Sequence, residues 1–283
     1  KEQTPELLSG FEQLVAAWRN GELDVSIENG ESPNELMARQ QIASAIGAEP
    51  GEVFFTSGAS ESNNWVLSSI NKGHVITSSI EHPSVLNACH MLEHKGVDVT
   101  YLPVSGNGHI AVEDVRNAIR PDTKLISVML ANNEIGTIQP LKEAAEVLKD
   151  YPKIHFHIDA VQGIGKGIQD LIMNDRVDFV SFSGHKFHAP RGIGFIYARR
   201  GRKIAPLLTG GGQERNLRSG TENLPAIAAM AKALRLLLTD EKQKVAKEAE
   251  IKQRIFDHVK KFPLVTTFSE DNDGFAPHIL CFA

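Results

Sequence analysis

The stretch Ser181-Phe182-Ser183-Gly184-His185-Lys186 sets one lysine at the end of an apolar run, beside hydroxyl and imidazole side chains, and the glycine-rich Arg191-Gly192-Ile193-Gly194 follows. Partial desolvation there would lower the pKa of the amine and make it a nucleophile toward a carbonyl, which is Schiff-base chemistry. An average lysine is a solvated surface group, so the reading depends on its company. Ser57-Gly58-Ala59-Ser60 joins an apolar run to a helical pattern and would offer free N–H groups to a phosphate. Asp159 closes the apolar run Ile154–Ile158, where a carboxylate needs a cationic partner. Gln162, three residues on, has a neutral donor suited to a phenolate oxygen. His82 has a flat face that could stack on a ring and a nitrogen that exchanges protons near neutral pH. Asn132, with Asn133 and Glu134, adds another amide donor.

Each of these residues taken singly reads equally well as a buried hydrogen-bonding group or an ordinary capped turn. As a set they meet the requirements of pyridoxal phosphate: an amine for the aldehyde, a carboxylate for the ring nitrogen, a helix N-terminus for the phosphate and a stacking ring.

Short apolar runs at Val53–Thr56, His74–Ser79, Val97–Val104, Leu125–Ala131, Ile154–Ile158 and Phe179–Phe182 alternate with helical patterns at Ser84–Lys95, Val112–Ile119 and Leu141–Lys149. That alternation predicts an α/β fold, a mostly parallel seven-stranded type of sheet flanked by helices on both faces. In such a sheet, residues just after the strands gather at one edge whatever their separation in sequence. Ile193–Ala198 adds a strand close enough to the lysine loop to run antiparallel, so a mixed sheet is expected. Before the sheet, Thr4-Pro5-Glu6 opens an amphipathic helix, Gly21–Gly30 reads as a polar linker, and Ser32-Pro33-Asn34-Glu35 is a capping box for a helix that Gly47 ends. After it, Leu207–Asn223 is a long loop of the functional kind. A long helix then runs from Leu224 to Phe262 with a break near Thr239, leading to strands at Val265–Phe268 and His278–Phe282 that would belong to part of a smaller α+β domain. The expected division is 1–48 helical, 49–225 the large cofactor-binding α/β domain, and 226–283 a linking helix with the partial small domain.

Composition narrows the partners. A formal net charge of −5 over 283 residues, with the basic residues dispersed, argues against nucleic acid. No segment approaches the roughly 18–20 apolar residues of a membrane span, and the polar start is not a signal peptide, so a cytoplasmic protein is expected. Two cysteines, Cys89 and Cys281, provide neither a disulfide framework nor a metal cluster.

Phe55-Thr56-Ser57-Gly58-Ala59-Ser60-Glu61-Ser62-Asn63, Glu81-His82, Asn132-Asn133-Glu134-Ile135-Gly136, His157-Ile158-Asp159-Ala160-Val161-Gln162, Ser183-Gly184-His185-Lys186 and Arg218-Ser219-Gly220-Thr221-Glu222-Asn223 resemble, in order, the motifs of cysteine desulfurases. These are class V aminotransferases with fold type I of the pyridoxal-phosphate enzymes, and the last loop resembles the group that serves iron–sulfur cluster assembly. The resemblance implies conversion of L-cysteine to L-alanine, with sulfur passed as a persulfide to an acceptor or scaffold protein. It makes Lys186 the cofactor-binding lysine, Asp159 the partner of the ring nitrogen, Gln162 the donor to the ring hydroxyl and His82 the stacking acid/base. It also puts Ala59, Ser60, Ser183 and His185 on the phosphate, Thr221 on the phosphate of the other subunit of a homodimer, and Asn132 near substrate and ring oxygen. A selenocysteine lyase, another class V aminotransferase-type enzyme, and a non-catalytic scaffold keeping the fold are the alternatives.

The resemblance places the sulfur-accepting cysteine and the arginine for the substrate carboxylate in a C-terminal region beyond this chain, and an N-terminal strand before it. Cys89, in a helical pattern, and Cys281, in a strand pattern, read as small buried residues. The expectation is that this chain by itself does not complete sulfur transfer. Alanine release with persulfide formation by this chain, lost on Cys281→Ser, would overturn it.

Overall fold

The computed structural model describes Ala16, Asn20, residues 33–270 and residues 272–283. The expected opening helix, apart from Ala16, the polar linker and the capping serine lie outside those residues. Seven strands form one sheet in the order β1-β7-β6-β5-β4-β2-β3: β1 Val53–Thr56, β2 His74–Ser78, β3 Asp98–Leu102, β4 Thr123–Met129, β5 His155–Asp159, β6 Phe179–Ser183 and β7 Gly194–Ala198. The pairs β2–β3, β2–β4 and β4–β5 are parallel, whereas β1 and β7 are antiparallel. The sheet is therefore mostly parallel and mixed, as the alternation predicts. The described residues fall into two compact units, one of residues up to Trp65 together with Ser181–Thr239, the other of Val66–Val180 with Asp240–Ala283.

In the first unit, α1 (Pro33–Ile46) packs on α6 (Leu224–Thr239). Ala38, Ile42 and Ala43 of α1 and Ile227, Met230 and Leu234 of α6 recur at helical spacing and are buried. Gly47 ends α1 at φ +70°, a left-handed conformation that glycine takes without a Cβ penalty. Arg39 projects from α1 into the interior at 1 % exposure. It pairs with Glu35 at 2.7 Å and with both oxygens of Glu214 at 2.9 and 3.0 Å, donates to the Val53 carbonyl at 2.8 Å, and lies 4.4 Å over the Phe55 ring. Glu214, Arg215 and Asn216 all have positive φ, at 46°, 57° and 65°. Three consecutive non-glycine residues in that region are costly, and the buried ion pair holds the first of them.

In the second unit, β2, β3, β4 and β5 carry Val75, Ile76, Leu102, Leu125, Ile126, Val128, Phe156 and Ile158 into a core at 0–1 % exposure. Helices α3 (Pro83–Glu93), α4 (Val112–Ala118), α5 (Leu141–Leu148) and α7 (Glu241–Val259) belong to it. The break after Thr239 falls where the sequence places it. Val265–Phe268 and His278–Phe282 do not form strands. One antiparallel bridge, Thr267–Phe282, and backbone hydrogen bonds of Thr266 with Ala283 and of Phe268 and Ser269 with Cys281 join them, a pairing too short to make a ladder, so their apolar, β-branched composition does not build a strand. Among the described residues no helix is long and apolar enough to cross a membrane, and no group of three or more His, Cys, Asp or Glu side chains could hold a metal ion.

Arg39→Ala removes the guanidinium shared by two buried carboxyls. Urea unfolding is expected to show a loss of about 3–5 kcal/mol, the usual cost of stripping one partner from a buried ion pair.

Candidate functional site

Nine of the predicted site residues lie at or just after strand ends and Thr221 sits in the long loop after β7, six of the ten in the first unit and four in the second.

In the first unit, β1 runs through Ser57 and Gly58 into α2 (Ala59–Ser68). Gly58 has φ +147°, and a Cβ there would lie 3.4 Å from Ser183 Oγ. Its N–H bonds Thr56 Oγ1 at 3.3 Å, and its carbonyl accepts the Ser62 N–H at 3.1 Å. The turn thus closes on itself and leaves the N–H groups of Ala59 and Ser60 at the head of the helix without intrahelical acceptors. Gly194, in β7, packs on this turn. A Cβ on Gly194 would sit 2.5 Å from the Phe182 carbonyl and 2.7 Å from Gly58 Cα. Ser183 ends β6, and its Oγ lies 2.9 Å from His185 Nδ1. A short 3-10 turn, Gly184–Phe187, then carries His185 outward and Lys186 to a half-buried position. The Gly184 N–H bonds the Ile193 carbonyl at 3.0 Å, and His188 takes φ +70° to end the turn.

Ala59, Ser60, Ser183 and His185 therefore gather around one helix N-terminus, a ready anion site. Glu61, one residue further into α2, is buttressed by Arg218 at 2.7 Å and by the Ser57 N–H at 2.9 Å. Burial opposes its ionisation, but the Arg218 side chain and the Ser57 hydrogen bond prevail and hold the carboxyl below its ordinary range. The same Arg218 ties down the loop whose exposed tip bears Thr221. That loop is also closed by Leu207 N–H to Leu217 O at 2.8 Å, Ser219 N–H to Leu208 O at 3.0 Å and Gly220 N–H to Gln213 Oε1 at 3.0 Å.

In the second unit, His82 is the N-cap of α3. Its Nδ1 accepts the Ser84 N–H at 3.1 Å and lies 2.8 Å from Ser84 Oγ, so the exposed ring is fixed by one edge and shows its faces. Asp159 ends β5 at 5 % exposure, in register with Met129 of β4. Its Oδ1 accepts the Val161 N–H at 3.1 Å. Gln162, half-buried, has its Oε1 3.3 Å from His278 Nε2. With a proton on that nitrogen, the pair turns the amide so that Nε2 points the other way. Asn132 is buried and engaged within the unit. Its Nδ2 donates to the Ile80 carbonyl at 3.1 Å and reaches Met129 Sδ at 3.6 Å, while Oδ1 accepts from the Glu134 and Ile135 N–H groups at 2.9 and 3.0 Å. It ties the loop after β4 to the loop after β2.

Two residues at this edge escape sequence reasoning. His278 falls in a segment read as a strand of another domain. Glu81 stands out in the sequence only as the neighbour of His82 in the Glu81-His82 pair, with no role of its own, yet it is 4 % exposed. Its Oε1 accepts from Ser78 Oγ at 2.5 Å and from the Met129 N–H at 3.0 Å. Burial, reinforced by the nearby Asp159 charge and only partly offset by those hydrogen bonds, pushes its pKa up to about 8. Two positions before Asp159, His157 is fully buried with Nδ1 2.8 Å from Ser127 Oγ, and burial pushes its pKa down to about 3. Cys89 on α3 is buried, and its thiol is pushed up to about 12 by burial and by Glu81 and Glu93. It is unsuited to nucleophilic attack. Cys281 is half-buried, with its N–H on Ser269 Oγ at 2.8 Å.

The profile of the family described as aminotransferase class-V matches residues 32–283. A NifS/IcsS protein homolog of Lactobacillus delbrueckii subsp. bulgaricus is 54 % identical over 253 residues, 87 % of this chain and 66 % of that protein. A protein of Methanosarcina thermophila named cysteine desulfurase IscS is 47 % identical over 233 residues, 80 % of this chain and 57 % of its own length. The chain thus spans about two thirds or less of these relatives. A solved structure of a NifS-like protein superposes with a TM-score of 0.89 at 32 % identity, covering 100 % of this chain and 79 % of that one.

Because the folded pKa of His157 lies below its unfolded value near 6.5, the unfolded chain gains a proton first as pH falls. Stability is then lost below about pH 6.5, by up to about 1.4 kcal/mol per pH unit for this one group. Stability curves for wild type and His157→Gln are expected to diverge from about pH 6.5 downward, with the variant falling less steeply.

Proposed function

The chain belongs to the class-V aminotransferase family, and on that footing we propose that it carries the pyridoxal 5'-phosphate site of a cysteine desulfurase, which converts L-cysteine to L-alanine and passes the sulfur on as a persulfide. The observation that carries this reading is the turn at the head of α2. There Gly58, with no Cβ, lets Ser183 Oγ approach two open helix N–H groups, with His185 alongside. Such a cradle suits a dianionic phosphate. The names of the relatives, NifS/IcsS homolog and cysteine desulfurase IscS, agree with it.

When bound, the cofactor supplies an electron sink for bonds to the substrate's α-carbon. The roles of the chain's own residues follow from their settings. Lys186 Nζ would hold the cofactor through its aldehyde and could hold and return a proton beside the substrate. Asp159, buried at the end of β5, would keep the ring nitrogen protonated. Gln162, its oxygen occupied by His278, donates its Nε2–H to the ring oxygen. His82, fixed through Nδ1, stacks on the ring and can move a proton at Nε2. Ala59, Ser60, Ser183 and His185 hold the phosphate, and Thr221 adds a contact from the second copy in a homodimer. Asn132 shapes the loops from which His82 and the substrate pocket are built. The proposal gives the sulfur-accepting role to neither Cys89 nor Cys281. Cytoplasmic location and delivery of sulfur to an iron–sulfur scaffold or another acceptor protein belong to the same reading.

Adding pyridoxal phosphate to the chain is expected to produce a visible absorption band that borohydride fixes on Lys186. Lys186→Ala abolishes the band without changing the circular dichroism. A colourless wild-type protein would overturn the reading.

A further inference from the structure

Glu81 is placed as no ordinary helix-leading acid is. Its side chain turns back under the edge of the sheet, where Oε1 takes two donors, the Ser78 hydroxyl and the Met129 N–H. Its other oxygen, Oε2, is buried and has no hydrogen-bond partner among the described residues. A carboxylate there would hold charge on an atom that nothing compensates. A carboxylic acid with its proton on Oε2 leaves one neutral O–H unpaired there, a smaller cost than an uncompensated charge, and its carbonyl oxygen receives both donors.

The surroundings agree. Asp159, at the end of β5, adds a like charge, and Cys89 on α3 is a second acid whose ionisation Glu81 opposes. His82, next in the chain, directs its Nδ1 to Ser84. Two neighbouring carboxyls in a poorly solvated place share one proton, which settles on the more buried or less hydrogen-bonded of the two.

Resting on the pyridoxal-phosphate reading, we propose that Glu81 is a positioning residue that acts as a neutral acid: it ties the ends of β2 and β4 beneath His82, and by keeping its proton it leaves Asp159 the ionised carboxyl that faces the ring nitrogen. The proton on Glu81 and the charge on Asp159 are thus one arrangement. If Glu81 ionised, the negative charge at this edge would double, and the protonation of a bound ring would follow the pH of that second ionisation. No bond is made or broken by Glu81, and it need not touch the cofactor.

Infrared spectroscopy of the chain without cofactor tests the acid directly. A protonated-carboxyl C=O band is expected at neutral pH, titrating away at a midpoint near about 8. The band is absent in Glu81→Gln, and in Asp159→Asn its midpoint moves down by about one pH unit or more, the size expected when a close like charge is removed. With pyridoxal phosphate added, the pH titration of the visible band loses its alkaline component in Glu81→Gln, which imitates the neutral acid and keeps wild-type cofactor affinity within about threefold. Glu81→Ala, which removes the tie as well, weakens affinity by about tenfold or more, a loss of one to two hydrogen bonds. A band that survives Glu81→Gln overturns the proposal. So does an Asp159→Asn midpoint equal to that of wild type, a measurement that stands even if Glu81→Gln fails to fold. Should the infrared titration appear but no visible band form with pyridoxal phosphate, the cofactor reading falls while the neutral acid is supported.

Discussion

Two glycines in contact set the lysine-bearing turn of the first unit. Gly194 of β7 lies so close to Gly58 and to the Phe182 carbonyl that a single added carbon on Gly194 would have to displace backbone. Backbone yields far less than a side-chain end, so the approach admits only hydrogen at that position. Because β7 can come this near, the turn before α2 rests against the sheet, and Ser183 reaches the helix head. The hydrogen bond from Gly184 to Ile193 then fixes where the lysine turn begins. Phe182 and Phe195, stacked at 4.4 Å between ring centroids, fill the space behind. Remove the close approach and the serine, the imidazole and the amine each lose the surface against which they are set.

The second unit solves a different problem, that of polar groups caught between strands. His74 lies between Thr123 and Thr100 at 2.8 Å each, and burial, with the Arg120 charge, lowers its pKa. His157 bonds Ser127. Asp178, fully buried, receives Arg176 at 2.9 Å and the Phe156 N–H at 3.0 Å, while Arg176 also donates to the carbonyls of Leu148, Tyr151 and Ile154. Histidines are thus buried neutral, and a buried charge is buried with its opposite and a full set of donors and acceptors.

Much of this was legible in the sequence, for identifiable reasons. Parallel strands covered on both faces must be short apolar runs, and their ends must carry the polar residues, so Asp159, Lys186, His82 and the Gly58 turn stand out one strand end after another. The break after Thr239 was marked by the change from alanine and leucine to charged residues. The segments Val265–Phe268 and His278–Phe282 misled, because composition reports what a residue would do in a ladder and not whether a neighbouring strand is there. Glu81 was hidden for the opposite reason. The Met129 N–H that donates to it lies 48 positions away in sequence, and nothing near Glu81 distinguishes a carboxyl that turns inward. Arg39 and Glu214 are separated by 175 positions and are equally invisible until α1 and the loop after β7 are folded together.

That last pair has a further meaning. Glu214 begins three residues held in a backbone region that costs on the order of 1–3 kcal/mol for each non-glycine occupant. The attraction between Arg39 and Glu214 offsets part of that cost and holds the first of the three in place. The ion pair works as a bent clip does, its force stored in the shape of the piece it holds. The loop bearing Thr221 is therefore set in advance by tension, and a group that meets it there finds a surface whose ordering entropy has already been surrendered.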